Sequence, residues 1–254
     1  MTTPDAANQP AIELRSVSKR FGEKVAVNEL SLVIEKGQFL GLLGRNGAGK
    51  STTLKMLTGL LRPSSGSIHV LGFDMAKDPL EAKRRIGVMP EDTALLEMLS
   101  GAQYLTFVGR MYGLDDVTIA ARTNELFDVL DLRPDKGAII GDYSFGMKKK
   151  VALSAALLHD PSVLFLDEPF EGIDPVTSRT IKDILLGLQK KGTTLVLTSH
   201  ILEIVERLCA HVAILHDGAL RGHGTIAELS RGGSLETLFV ELVGAPKSGA
   251  LSWL

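Results

Sequence analysis

A single cysteine, Cys209, stands among the 254 residues, so no disulfide can form within the chain. That suits a reducing cytosol, and nothing points to secretion. No run of about 18 apolar residues occurs, so no segment reads as a bilayer-spanning helix. The opening MTTPDAANQP lacks the positive and apolar regions of a signal peptide. Residues 1–11 read instead as a short disordered tail. Action at a membrane would then require docking onto another polypeptide. A basic excess is also missing: 28 Lys and Arg face 30 Asp and Glu, and the pI is about 6.3. This balance argues against a protein dedicated to nucleic acid. Internal repeats and low-complexity tracts are absent too.

What is present is an ordinary globular composition, 44% hydrophobic and 23% charged, in a chain long enough for one or two domains. AIELRSV, VAVNELSLVIE and QFLGLLG read as strands, the last as a buried one. KSTTLKMLTGLL has helical spacing, RPSSGS is a turn and IHVLG a strand. The stretch 92–160 changes character. Ser100 and Gln103 form a capping-box pattern ahead of a helix, IAARTNELFDVLDL is a second, and KKKVALSAALLHD continues a third that Asp160-Pro161 closes. SVLFLDEP is a buried strand ending in acids. Asp174 and Pro175 are N-cap and first residue of a further helix. TTLVLTSH and HVAILHDG are short strands with a helix at 201–208 between them, and Thr225 with Glu228 repeats the capping-box pattern. Alternating strands and helices predict an α/β fold, a mostly parallel sheet covered on both faces, with an all-helical insert.

GRNGAGKS, Gly44 to Ser51, matches G-x-x-x-x-G-K-[ST] between a predicted strand and a predicted helix. Glycines let the backbone turn several N–H groups onto one phosphate chain, and the helix N-terminus adds positive charge. Lys50 is placed to reach the β- and γ-phosphates and Ser51 to ligate Mg²⁺. Asp167 emerges at the carboxyl end of a buried strand, where α/β sheets bind ligands, and is expected to hold the metal. Glu168 follows it, next in line to orient or deprotonate a water. His200 also closes a strand. Phe21, in KRFGEK, is either a minor core aromatic or a ring face for a base.

Together these residues resemble the nucleotide-binding subunit of an ATP-binding cassette (ABC) transporter, most like the ATPases of ABC-2-type exporters with short six-helix membrane subunits. The resemblance covers about residues 12–230 and rests on five motifs. Gly44 to Thr52 is the Walker A loop, Tyr143 to Met147 the signature, Val163 to Glu168 the Walker B strand, Glu171 to Asp174 the D-loop, and His200 the switch histidine. The resemblance implies a P-loop NTPase core with an N-terminal antiparallel β subdomain. One ATPase domain is expected over 12–243, with the helical part inserted at about 92–160 and a tail at 244–254. It also implies ATP and Mg²⁺. ATP would be held by Phe21, Gly44, Arg45, Asn46, Gly47, Ala48, Gly49, Lys50, Ser51 and Thr52, and by Ser144 and Gly146 of a second, head-to-tail cassette. The metal would be held by Ser51, Glu91 and Asp167. Lys50, Glu168 and His200 would carry the catalysis, and Asp174 would communicate across the interface. The expected partners are an integral membrane subunit and a like cassette in a homodimer, not nucleic acid, at the cytoplasmic face of the membrane. The rivals are a soluble cassette ATPase acting on nucleic acid or ribosomes and a non-hydrolysing ATP switch.

Three positions depart from the usual pattern. Glu91 stands where glutamine is common, keeping a hard oxygen but adding charge. The signature reads Tyr-Ser-Phe-Gly-Met, so Ser144 and Gly146 remain while Phe145 replaces a glycine. EGID puts Glu171 into an acidic neighbourhood. Leu95, Leu96, Met98, Leu99, Tyr104, Phe107 and Met111 supply large apolar side chains near Glu91. Most are expected to form the insert's own core. The remainder would line a groove for a helix of the membrane subunit.

Overall fold

The computed structural model describes residues 9–92, 94–132, 138–230 and 233–244. Of the expected tails, residues 1–8 and 245–254 lie outside the described residues, whereas Ala11, counted in the first tail, is fully buried and its carbonyl accepts from the Leu71 N–H at 2.7 Å, so the fold begins before Ile12. Strands β1 (Ile12–Phe21), β2 (Lys24–Ile34), β4 (Ser65–Val70) and β5 (Phe73–Asp74) form an antiparallel sheet in the order β2-β1-β4-β5. Strand β4 begins three residues earlier than IHVLG, so the turn expected over 62–67 is shorter. Its Ser67 pairs with Arg15, and that cross-strand pairing is invisible to local turn chemistry.

A second sheet runs β10-β9-β3-β8-β7-β6. Its members are β3 (Phe39–Leu43), β6 (Ile86–Met89), β7 (Val163–Asp167), β8 (Thr194–Ser199), β9 (His211–His216) and β10 (Ala219–Thr225). All neighbours are parallel except the β9–β10 pair. The period of two sorts the apolar runs between two cores. Phe39, Leu43, Leu164, Leu166, Leu195, Leu197, Val212 and Ile214 face one. Leu40, Leu42, Val163, Phe165, Val196, Ala213 and Leu215 face the other, toward the antiparallel sheet and helix α1 (Lys50–Leu57). Burial on both faces is what makes these strands read as unbroken hydrophobic runs.

A short α2 (Pro79–Lys83) precedes β6. Between β6 and β7 come α3 (Gly101–Met111), α4 (Asp116–Val129) and α5 (Phe145–Leu157). Ser100 and Gln103 cap α3 reciprocally, and Asp115 caps α4. Phe127 on α4 is fully buried, its ring set where a Cβ on Gly101 would come within 3.0 Å of it. Then follow α6 (Pro175–Lys190), capped by Asp174, and α7 (Leu202–Leu208), α8 (Ile226–Ser230) and α9 (Leu235–Val243). Thr225 and Glu228 exchange the expected capping bonds ahead of α8.

One expectation fails. None of Leu95, Leu96, Met98, Leu99, Tyr104, Phe107 and Met111 is fully buried, and Leu96, Met98, Phe107 and Met111 are exposed. The insert builds its core from Leu105, Ile119, Phe127, Leu130 and Ile140 instead. Removing the Phe127 ring should therefore be costly. Phe127→Ala is expected to lower unfolding free energy in urea by about 3–5 kcal/mol. A change below about 1 kcal/mol would contradict this packing.

Candidate functional site

The chain leaves β3 at Leu43, turns through Gly44–Gly49 and enters α1. Gly49 sits at φ 102°, and a Cβ there would lie 2.6 Å from the Ala26 carbonyl, so only glycine fits. Gly47, at φ 83°, has open space around it. Gly44 and Ala48 are buried behind the loop, whereas Arg45, Asn46 and Gly47 are exposed. No side chain caps α1 and no acid stands in its first turn, so no carboxylate of that turn competes for its N–H groups. Lys50 is buried; its Nζ donates to the Gly44 carbonyl at 2.9 Å and lies 3.8 Å from Glu168 Oε1.

Strand β7 delivers the acids opposite. Asp167 pairs in register with Thr198 of β8, and the Thr198 hydroxyl donates a short bond to Asp167 Oδ1. Ser51 Oγ donates to the same oxygen at 3.3 Å. The next residue, Glu168, is buried at φ 47°, a left-handed angle unusual outside glycine. Both of its backbone groups are held. Its N–H donates to Thr198 Oγ1 at 3.0 Å, and its carbonyl accepts from Lys149 Nζ at 2.7 Å. Such restraint is what keeps a strained residue in place. Its carboxylate points back to Lys50 and, through Oε2, to His200 Nδ1 at 3.1 Å. His200, just past β8, is half exposed.

Phe21, Arg45, Asn46, Gly47, Gly49, Lys50, Ser51, Thr52, Glu91 and Glu168 line one cleft of about 580 Å³, with Lys24 and Ala26. Phe21 is half exposed there, which rules out the reading as a core aromatic. Partial desolvation raises the carboxyl of the exposed Glu91 above its ordinary pKa, and the carboxylates of Asp167, Glu171, Asp92 and Glu168 add to the shift. Ser51 Oγ and Asp167 Oδ1, with Glu91 on the same cleft, are hard oxygens of the kind Mg²⁺ takes. Among the described residues no group of three or more His, Cys, Asp or Glu is placed to hold a metal alone. Mg²⁺ commonly completes its shell with substrate phosphates and water.

Ser144 and Gly146 are not in this cleft's lining. Ser144 is exposed at the start of α5, where its Oγ accepts from the Met147 N–H at 3.3 Å. The lysines that follow separate as helix geometry requires. Lys148 pairs with Glu97 at 2.6 Å, and Lys149 is wholly buried. The run therefore presents no continuous basic patch.

Two residues central to this geometry, Thr198 and Lys149, were not singled out in the sequence. Thr198 was legible only as a polar residue interrupting the apolar run TTLVLTSH. Thr198→Val removes both of its side-chain bonds, to Asp167 and to the Glu168 N–H. Turnover of ATP is expected to fall by about tenfold or more, with a stability loss of about 1–3 kcal/mol in urea. Wild-type turnover in a folded Thr198→Val protein would show that these bonds do not set the acids.

Known proteins resemble this chain in sequence and in fold. Residues 27–171 match the family model described as ABC transporter. The chain is 40% identical over 223 residues to the ABC transporter ATP-binding protein NatA of Bacillus subtilis, covering 86% of this chain and 91% of the relative. It is 38% identical over 207 residues to the Nod factor export ATP-binding protein I of Burkholderia lata, covering 82% and 68%. A solved ATP-binding subunit of an ABC transporter superposes with a TM-score of 0.87 at 32% identity, covering 91% of this chain and 99% of that one. Motif order, fold and relatives agree, and the chain belongs to the ABC transporter family as an ATP-binding, ATP-hydrolysing cassette.

Proposed function

We propose that this cassette hydrolyses ATP as one of a head-to-tail pair and drives an exporter through a separate membrane subunit. One observation carries the pairing: the residues assigned to the phosphates fall into two groups that a single chain does not bring together. Arg45, Asn46, Gly47, Gly49, Lys50, Ser51 and Thr52 line the cleft with Glu91 and Glu168, while Ser144 and Gly146 stand outside that lining at the N-terminus of α5. Two chains facing each other head to tail would complete two sites, each made of one chain's loop and the other's helix end.

In each site the α1 N-terminus and Lys50 would cradle the phosphates, and the Phe21 ring would stack on the adenine. Ser51 and Asp167, with Glu91, would hold Mg²⁺, which neutralises phosphate charge when bound. Glu168 would orient and deprotonate the attacking water, and His200, bonded to its carboxylate, would contact the γ-phosphate. The Ser144 hydroxyl and Gly146 N–H would reach the same phosphate from the partner.

The mechanical output has a surface of its own. A groove of about 600 Å³ runs beside α3, lined by Leu80, Val88, Pro90, Leu95, Phe107 and Met111, among others. Its floor includes the residue before Glu91, so a helix seated there would lie next to the nucleotide cleft. Among the described residues no helix is long and apolar enough to cross a membrane. The apolar lining of the groove suits a short apolar helix of a membrane subunit, and similarity to the Nod factor export ATP-binding proteins supports the exporter assignment.

Glu168→Gln tests the reading. It is expected to cut turnover by at least about 100-fold while ATP-bound dimers accumulate in size-exclusion chromatography. Unchanged turnover would remove Glu168 as the base, and a monomer at saturating ATP would remove the paired site.

A further inference from the structure

The Phe145 side chain and the buried Lys149 occupy successive turns of α5, four residues apart, and both meet the segment that follows β7. Lys149 is 0% exposed, a rare state for lysine, and its Nζ donates to the backbone carbonyl of Glu168 at 2.7 Å. The Phe145 ring covers the ammonium, with its centroid 5.1 Å from Nζ. The same ring packs against the D-loop, so closely that a Cβ on Gly172 would lie 2.6 Å from Phe145 Cε1. Burying a lysine costs free energy unless charge and hydrogen bonds compensate it. Here the compensation comes from the Glu168 carbonyl and from the nearby carboxylates of Glu171, Glu168, Glu91 and Asp167, which oppose the effect of burial on the ammonium.

The held carbonyl belongs to the residue at φ 47°. The N–H and the carbonyl of Glu168 lie in the two peptide planes that flank its Cα, and with a group in each plane held, the direction in which the side chain leaves the backbone is set. Thr198 holds the N–H side of Glu168, and Lys149 holds the carbonyl side, an acceptor that also takes the longer bond from the Glu171 N–H at 3.3 Å.

We propose that Lys149 is a positioning residue for the Glu168 carboxylate, kept dry by Phe145, and that it ties the base of one ATP site to the helix whose first turn serves the other. The proposal rests on the reading of Glu168 as the base. It also gives the phenylalanine in the signature a task within its own chain: the ring shields the ammonium that anchors the base.

The test is a double-mutant cycle on the purified full chain, with steady-state and single-turnover ATP hydrolysis as readouts. Lys149→Met is expected to lower kcat by about 10- to 100-fold, the range for a misplaced catalytic group, with KM and ATP affinity of the monomer within about twofold. In a Glu168→Gln background the same substitution is expected to cause no further loss, because Lys149 acts only through the residue already disabled. An equal loss in both backgrounds, an unchanged kcat, or a loss confined to KM would each overturn the proposal. If Lys149→Met does not fold, Lys149→Gln, which keeps a shorter neutral donor, is judged by the same cycle. Wild-type turnover in Glu168→Gln alone would instead overturn the assignment of the base, so the two failures are distinguishable.

Discussion

Like charge is crowded where β6 and β7 end. Glu91, Asp167, Glu168 and Glu171 interact through space, with the buried Lys50 and Lys149 among them. A triphosphate brings further negative charge to this place, and the cleft must supply donors from several directions to accept it. The loop after β3 and the start of α1 offer backbone N–H groups from one side only. A divalent cation on Ser51 and Asp167 and a second helix N-terminus from a facing chain are the natural complements. The proposed pairing and metal dependence would both answer this one electrostatic constraint.

The sheet makes that constraint possible. Parallel register sets Asp167 beside Thr198, and the loop from β3 leads into the helix that carries Ser51. The two-faced burial of β3, β7, β8 and β9 keeps this end rigid, since each strand contributes side chains to both cores. Glu168 then takes an unfavourable backbone angle that its neighbours hold by hydrogen bonds on either side of its Cα.

Much of this was legible in the residues. The loop from Gly44 to Ser51 names its own chemistry, and the acids after a buried strand could be placed at a sheet end without coordinates. The capping patterns at Ser100 and Thr225 formed as read. What escaped depended on tertiary direction. Helix geometry says that three consecutive lysines diverge, but only packing decides that Lys149 is the one turned inward. Likewise, a count of large apolar residues between Leu95 and Met111 cannot tell a core from an exposed face. Leu96, Met98, Phe107 and Met111 are exposed, whereas Leu105, Ile119 and Phe127 are buried. Phe145 read as a loss of backbone freedom; in place it is a lid over an ammonium and a wall against Gly172.

The central claim is that each working site is shared between two chains, and mixing two disabled chains tests it most directly. Lys50→Ala removes the phosphate lysine but leaves Ser144 intact; Ser144→Arg blocks the helix end but leaves the loop intact. Each homodimer then has two broken sites, whereas the mixed dimer has one whole site. The account predicts that mixing restores ATP hydrolysis that neither protein shows alone. A mixture as inactive as its components, with mixed dimers demonstrably formed, would contradict the shared site.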